Sequence, residues 1–143
     1  MNNLKTDKKY EKIFPKGEKG PDDYFTRTTW VKMLVVDEKK TYNTQAYNVR
    51  FEPKARTYWH SHPSGQLLFV TSGKGYYQEK GKQARPLSKG DVVEIPPNVI
   101  HWHGAAPDSE FVHLGASCKT QEGPAEWVSE VTDEEYNGAV NFL

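Results

Sequence analysis

The sequence predicts an all-β fold, an antiparallel sandwich or barrel formed by a single domain. Short runs rich in β-branched and aromatic residues recur along the chain, and clusters of Gly, Pro, Asp and Asn separate them. Apolar residues show little helical spacing anywhere before the last twenty or so positions. A length of 143 residues suits one domain with one hydrophobic core.

Composition divides the chain into three segments. Residues 1–24 are rich in lysine and are predicted to form an N-terminal arm, laid on the domain or on a second subunit. Residues 25–118 are predicted to form the barrel. Residues 119–143 form an acidic tail, in which Thr132 and Glu135 have the spacing of a capping box and predict one short helix.

The predicted strands follow in order between turn signals. They are TTWVKMLVV, TQAYNVRF, ARTYWHSH, QLLFVTS, GYYQEK, QARPL, DVVEIP, HWHGAA and EFVHLGAS. Gly73 and Gly75 predict a tight hairpin, Gly81 predicts a second turn, and Gly90 with Asp91 predicts a third.

Charge and cysteine content exclude several classes of function. Lysine plus arginine equals aspartate plus glutamate at 19 each, so no overall basic field favours nucleic acid or an anionic membrane. Cys118 is the only cysteine, so an intrachain disulfide is excluded. The first residues lack the apolar core of a signal peptide, and the longest apolar runs are too short to cross a bilayer. We therefore expect a soluble cytoplasmic protein.

Pairs of histidines on alternate positions are the strongest functional signal. His60 and His62 lie in WHSHPSGQ, and His101 and His103 lie in IPPNVIHWHGA. Side chains at i and i+2 of a strand point to the same face, so each pair can reach one point in space. Inward positions of a small barrel face one another, so the imidazoles of both segments can converge. They would bind a metal ion or line a metal-free pocket.

Both segments resemble the motifs of a small single-domain cupin, which has a jelly-roll β-barrel fold. HSHPSGQLLFVTSGKG is similar to the first cupin motif, and GDVVEIPPNVIHWHG is similar to the second. By this resemblance His60, His62 and His101 match the metal-binding histidines. Gln66 occupies the place of the usual glutamate, so it would offer a neutral carbonyl oxygen instead of a carboxylate.

The resemblance implies one divalent metal ion per chain. Three imidazoles and an amide oxygen suit Mn or Fe, and they are also compatible with Zn, Ni or Co. Because all four ligands are neutral, the ion would keep its full charge and polarise a bound group strongly.

A narrower resemblance concerns the carboxymuconolactone-decarboxylase-associated cupins, a group that includes manganese-dependent hydroxynitrile lyases. It rests on ARTYWHSHPSGQ, IPPNVIHWHGA and FVHLG. In those lyases a histidine on a late strand acts as the base, and His113 has the matching position. The alternative is that His113 is only a hydrogen-bonded histidine of the barrel.

Alternation also predicts the walls of a substrate pocket. Tyr47 and Val49 share one face of their strand, Tyr58 shares the face of His60, and His103 is assigned to the pocket wall or to the shell around the ligands. Walls of this kind suit a small, partly apolar substrate.

These features predict a metal-dependent enzyme that acts on a small organic molecule, most concretely a lyase of the hydroxynitrile-lyase type. The alternatives are a metal-dependent dioxygenase or decarboxylase, and a barrel that binds a small ligand without turning it over. A small-molecule substrate is expected, with no nucleic-acid partner and no membrane. The resemblance to cupins, together with the arm, also implies a homodimer.

Overall fold

Twelve strands form one continuous, strongly curled β-sheet in the computed structural model, which describes residues 13–141. The all-β jelly-roll prediction and the predicted C-terminal helix are confirmed. The first twelve residues of the predicted arm lie outside the described residues. The strands are β1 (Glu18–Lys19), β2 (Phe25–Thr26), β3 (Thr29–Val35), β4 (Thr44–Phe51), β5 (Arg56–Thr57), β6 (Trp59–Ser61), β7 (Gln66–Glu79), β8 (Arg85–Ser88), β9 (Val92–Ile95), β10 (His101–Ala105), β11 (Phe111–Cys118) and β12 (Glu126–Ser129).

The C-terminal tail adds both a strand and a helix to the barrel. Strand β12, which the sequence did not predict, pairs with β6. A short 3-10 helix (Thr120–Glu122) precedes it, and helix α1 (Asp133–Asn141) follows it. The predicted capping box forms, because the Glu135 amide donates to Thr132 Oγ1 at 3.0 Å and the Thr132 amide donates to Glu135 Oε1 at 3.0 Å. Within residues 13–141, no helix has the length and hydropathy that a membrane span requires.

The 14-residue strand β7 joins the two halves of the sheet. Its first half pairs with β9 and β11, and its second half pairs with β8 and β10. The prediction of a hairpin at Gly73 and Gly75 is therefore wrong, since both residues lie inside this strand. Gly73 has a positive φ of 78°, and a Cβ on Gly75 would lie 2.6 Å from the Phe111 ring. These glycines permit close packing and a change of direction at the junction, rather than a reversal of the chain.

Two apolar clusters lie on opposite sides of the curled sheet. The inner one fills the barrel with residues such as Phe51, Leu68 and Phe111. The outer one packs helix α1 through Tyr136 against the fully buried Trp102 of β10. Successive residues of a strand point to opposite faces of the sheet. Since Trp102 is buried on the outer face, the residues on either side of it, His101 and His103, point into the barrel.

Candidate metal centre

Strand pairing brings the two histidine segments together. His60 of β6 and His101 of β10 are directly opposite in the antiparallel register, and their ring centroids are 4.3 Å apart. The two strands are therefore neighbours in one curved sheet rather than strands that face each other across the barrel. The His62 ring lies 5.1 Å from that of His60, and the His103 ring lies 5.7 Å from that of His101. Four imidazoles thus converge inside the barrel.

Backbone carbonyls fix the orientation of two of these rings. His60 Nδ1 lies 2.8 Å from the Tyr58 carbonyl oxygen, and His101 Nδ1 lies 2.9 Å from the Val99 carbonyl oxygen. A carbonyl can only accept, so each Nδ1 carries the proton and donates it. Each Nε2 then keeps a free lone pair, which is the tautomer that a metal-binding histidine needs.

Burial keeps the histidines of this cluster neutral. It lowers the pKa of His62 and of His101 to about 4, with the nearby His101 ring adding to the effect on His62. The pKa of His60 falls well below its ordinary value, first because of burial and then because of the neighbouring imidazoles. At neutral pH these rings are uncharged lone-pair donors rather than cations that repel one another.

Several ligand-type atoms of the cluster have no protein partner. Among residues 13–141, the buried atoms His62 Nε2, Gln66 Oε1, His101 Nε2 and His103 Nε2 make no hydrogen bond. Buried polar atoms are nearly always paired, so these four atoms together are suited to a ligand from outside the chain. The residues therefore fit a metal ion chemically, with nitrogen and oxygen ligands that a first-row divalent ion accepts.

The tightest group of histidines includes one residue that the sequence assigned elsewhere. The ligand atoms of His60, His101 and His103 all lie within 4.8 Å of one another, so these three could hold a metal ion. His62 and Gln66 adjoin this group at the side that opens to the cavity. Two overlapping ligand sets are thus available, and both contain His60 and His101.

His113 lies behind His103 rather than at the cavity surface. It is fully buried in β11, and its Nε2 is 3.1 Å from Nδ1 of His103. Burial lowers the pKa of His113 to about 3, and it also lowers that of His103 strongly. Since both rings are neutral, one of the two facing nitrogens carries the proton of this hydrogen bond and the other accepts it.

Three of the imidazoles, those of His60, His62 and His103, open into a cavity of about 770 Å³. Tyr47, Val49 and His103 line it, as the sequence predicted for the pocket walls. Tyr58 does not line it, and this prediction is wrong. The chain breaks its alternation at Tyr58, between β5 and β6, so the ring turns outward and its hydroxyl donates to the Asp22 carbonyl at 2.8 Å.

Three aromatic residues of the cavity wall were missed by the sequence interpretation. Trp127 of β12 stacks on His60 at 4.5 Å between ring centroids, and Tyr24 stacks on Trp127 at 4.3 Å. Phe25 completes this wall. Nothing local in the sequence marks these residues. Trp127 reaches the site because β12 pairs with β6, and Phe25 reaches it because β2 pairs with β5.

Known proteins resemble this chain in both sequence and structure. Residues 47–114 match the Cupin_2 model, described as a cupin domain. An (R)-mandelonitrile lyase from Granulicella tundricola is 42% identical over 118 residues, which are 82% of this chain and 89% of that protein. The crystal structure of a cupin-like protein from Thermotoga maritima is 64% identical, superposes with a TM-score of 0.90, and covers 90% of this chain and 97% of that one.

A more distant relative is an acireductone dioxygenase from Alcanivorax borkumensis. It is 29% identical over 87 residues, which are 59% of this chain and 46% of that protein. This likeness spans less than half of the dioxygenase.

Proposed function

This chain belongs to the cupin family, and from that premise we propose that it is a metal-dependent lyase of the hydroxynitrile-lyase type. The observation that carries the proposal is a group of neutral imidazoles and one amide oxygen beside a cavity, in which Nε2 of His62 and His101 and Oε1 of Gln66 have no protein partner among the described residues. The 42% identity to a mandelonitrile lyase over most of both chains supports the same reaction class.

His60, His62, Gln66 and His101 would hold the metal ion in this proposal. The carbonyls that accept from Nδ1 of His60 and His101 keep two of these rings in place and raise their basicity. When bound, the ion supplies Lewis-acid stabilisation of negative charge on a substrate oxygen or on cyanide.

His103 and His113 form the proton-transfer pair. His103 lines the cavity and His113 does not, so we propose that the base role expected for His113 is exerted through His103. Nε2 of His103 accepts the hydroxyl proton of the cyanohydrin, while its Nδ1–H keeps its hydrogen bond to Nε2 of His113, which stabilises the positive charge that develops on His103. The carbon-carbon bond breaks, giving a carbonyl product and cyanide. Because burial disfavours the charged form, the pair readily returns the proton to cyanide, which leaves as hydrogen cyanide.

The cavity wall favours a small, partly apolar substrate. Val49, Phe25 and Trp127 offer apolar and aromatic surface, and charged side chains such as Asp37 and Lys40 line the same cavity. This arrangement holds an organic side chain by burial and orients its hydroxyl group toward the ligand atoms.

Metal analysis combined with cyanohydrin cleavage tests the proposal. We expect about one Mn or Fe ion per chain in the wild type and turnover of an aromatic cyanohydrin, followed by release of the aldehyde. His101→Ala and Gln66→Ala should lose metal and activity together, whereas Gln83→Ala, a change of an exposed glutamine, should lose neither. His103→Ala should keep the metal and lose turnover. Wild-type protein that takes up no metal after reconstitution would contradict the proposal.

A dioxygenase is the second candidate, because the chain shares a region with an acireductone dioxygenase. Turnover that stops when oxygen is removed would favour it, whereas cyanohydrin cleavage should continue without oxygen. The homodimer and the cytoplasmic location expected from the sequence stay predictions.

A further inference from the structure

We infer that Tyr47 is a positioning residue that turns the amide of Gln66 so that its carbonyl oxygen faces the imidazole cluster. Gln66 Nε2 donates to Tyr47 Oη at 2.6 Å, and Tyr47 Oη lies 2.8 Å from Ser117 Oγ. Gln66 Oε1 is buried and has no partner within the described chain. The inference rests on the proposed metal site and adds a role for a residue outside its ligand set.

The two ends of a glutamine amide are not equivalent toward a cation. The carbonyl oxygen offers lone pairs, whereas the NH₂ group has only hydrogens to present and cannot act as a ligand. A rotation of the terminal amide by half a turn would place this NH₂ group among the imidazoles and remove the ligand. Before an ion binds, the hydrogen-bond partners of the amide decide which of its two ends faces the imidazoles.

Tyr47 favours this orientation because its hydroxyl oxygen accepts from Gln66 Nε2 while Ser117 Oγ lies within reach to take the phenol proton. When the phenol donates its proton to Ser117 Oγ, the lone pairs of Tyr47 Oη are directed to Gln66 Nε2. Burial raises the pKa of Tyr47, so the phenol keeps this proton at neutral pH. The reversed amide would leave the Gln66 NH₂ group without this acceptor.

The backbone fixes the place of the Tyr47 ring. Tyr47 of β4 is directly opposite Gly115 of β11 in the antiparallel register. A Cβ on Gly115 would overlap the ring, which therefore packs directly against that glycine. Ser117 lies two residues further along β11 and so points to the same face as Gly115. The tyrosine and its hydrogen-bond partner Ser117 thus come from one strand pair.

Titration with Mn(II), followed by the EPR signal of the free ion, tests the inference without using activity. We expect Tyr47→Phe to weaken Mn(II) binding by about 10- to 100-fold, the usual effect of removing a group that orients a ligand. Tyr42→Phe removes the same hydroxyl from a ring that is 70% exposed, and it should bind Mn(II) as the wild type does.

Gln66→Glu separates orientation from packing. The two oxygens of a carboxylate are equivalent, so either end can serve as the ligand and no partner is needed to choose between them. In the Gln66→Glu background, Tyr47→Phe should therefore weaken Mn(II) binding by less than about threefold.

Two outcomes would overturn the role of Tyr47. The first is wild-type affinity in Tyr47→Phe. The second is an equal loss in the glutamine and glutamate backgrounds, which would show that Tyr47 acts through packing alone. Failure of the metal site itself would look different, because the wild type would then bind no Mn(II) and His101→Ala would match it.

Discussion

Mild acid should destabilise the metal-free protein far more than an ordinary domain of this size. The perturbation is a change from about pH 7.5 to about pH 5.5, a range that crosses the ordinary histidine pKa of about 6.5. Burial holds the pKa of His62 and His101 at about 4 and that of His113 at about 3 in the folded protein. The unfolded chain binds these protons in this range and the folded chain does not, so acid favours unfolding.

The size of the effect follows from the proton balance. Consider a histidine that is protonated in the unfolded chain at about pH 5.5, one unit below its ordinary pKa, but stays neutral in the folded protein. Each such histidine lowers the free energy of unfolding by slightly more than about 1 kcal/mol. The three histidines with pKa values of about 4 and about 3 therefore contribute about 4 kcal/mol together. His60 and His103 shift in the same direction and add to this loss. The free energy of unfolding of a typical domain is only about 5–15 kcal/mol in total.

Urea denaturation of chelator-treated protein at the two pH values measures the loss. Carboxyl groups titrate mainly below about pH 5, so histidines dominate this range. His62→Asn is the matched variant, because its own loss between the two pH values should be smaller by about 1 kcal/mol. A loss below about 1 kcal/mol in the wild type would refute the reasoning, since it would mean that the cluster takes up protons in the folded state.

Two further pairs of substitutions test how the barrel is held together. Arg56 is 1% exposed and donates to the Val131 carbonyl that precedes α1, so Arg56→Met should lower the free energy of unfolding by about 2–3 kcal/mol, measured by urea denaturation. Asp133→Asn, which alters the exposed partner of the same guanidinium, should have little effect; equal losses would contradict this assignment. Gly75→Ala should destabilise by about 2–3 kcal/mol because its methyl group meets a core aromatic ring. Gly138→Ala, in helix α1 with open space around it, should raise the melting temperature, and a lower one would contradict the helix.

Local sequence patterns were sufficient to predict which side chains share a face when those residues are close along the chain. The alternation that places His60 with His62 and His101 with His103 requires only an extended backbone. Where the backbone departs from regular extension, the same rule failed. Tyr58 lies at a break between two short strands and turns outward. Gly73 and Gly75, which were interpreted as turn residues, instead permit close packing inside β7.

Contacts between distant segments were beyond sequence reasoning. Trp127 reaches His60 only because the tail adds a strand to β6, and its residue type alone does not predict that pairing. The contact of His113 with His103 likewise depends on how β11 and β10 meet inside the barrel.

The sequence by itself determined the family, the all-β class and the identity of the candidate ligands, because these follow from residue types at fixed short spacings. The tertiary structure decided the rest: which imidazoles are adjacent, which are buried and neutral, and which side chains orient Gln66. Those properties depend on the curvature of the sheet, which brings residues far apart in the chain to one place and removes them from water.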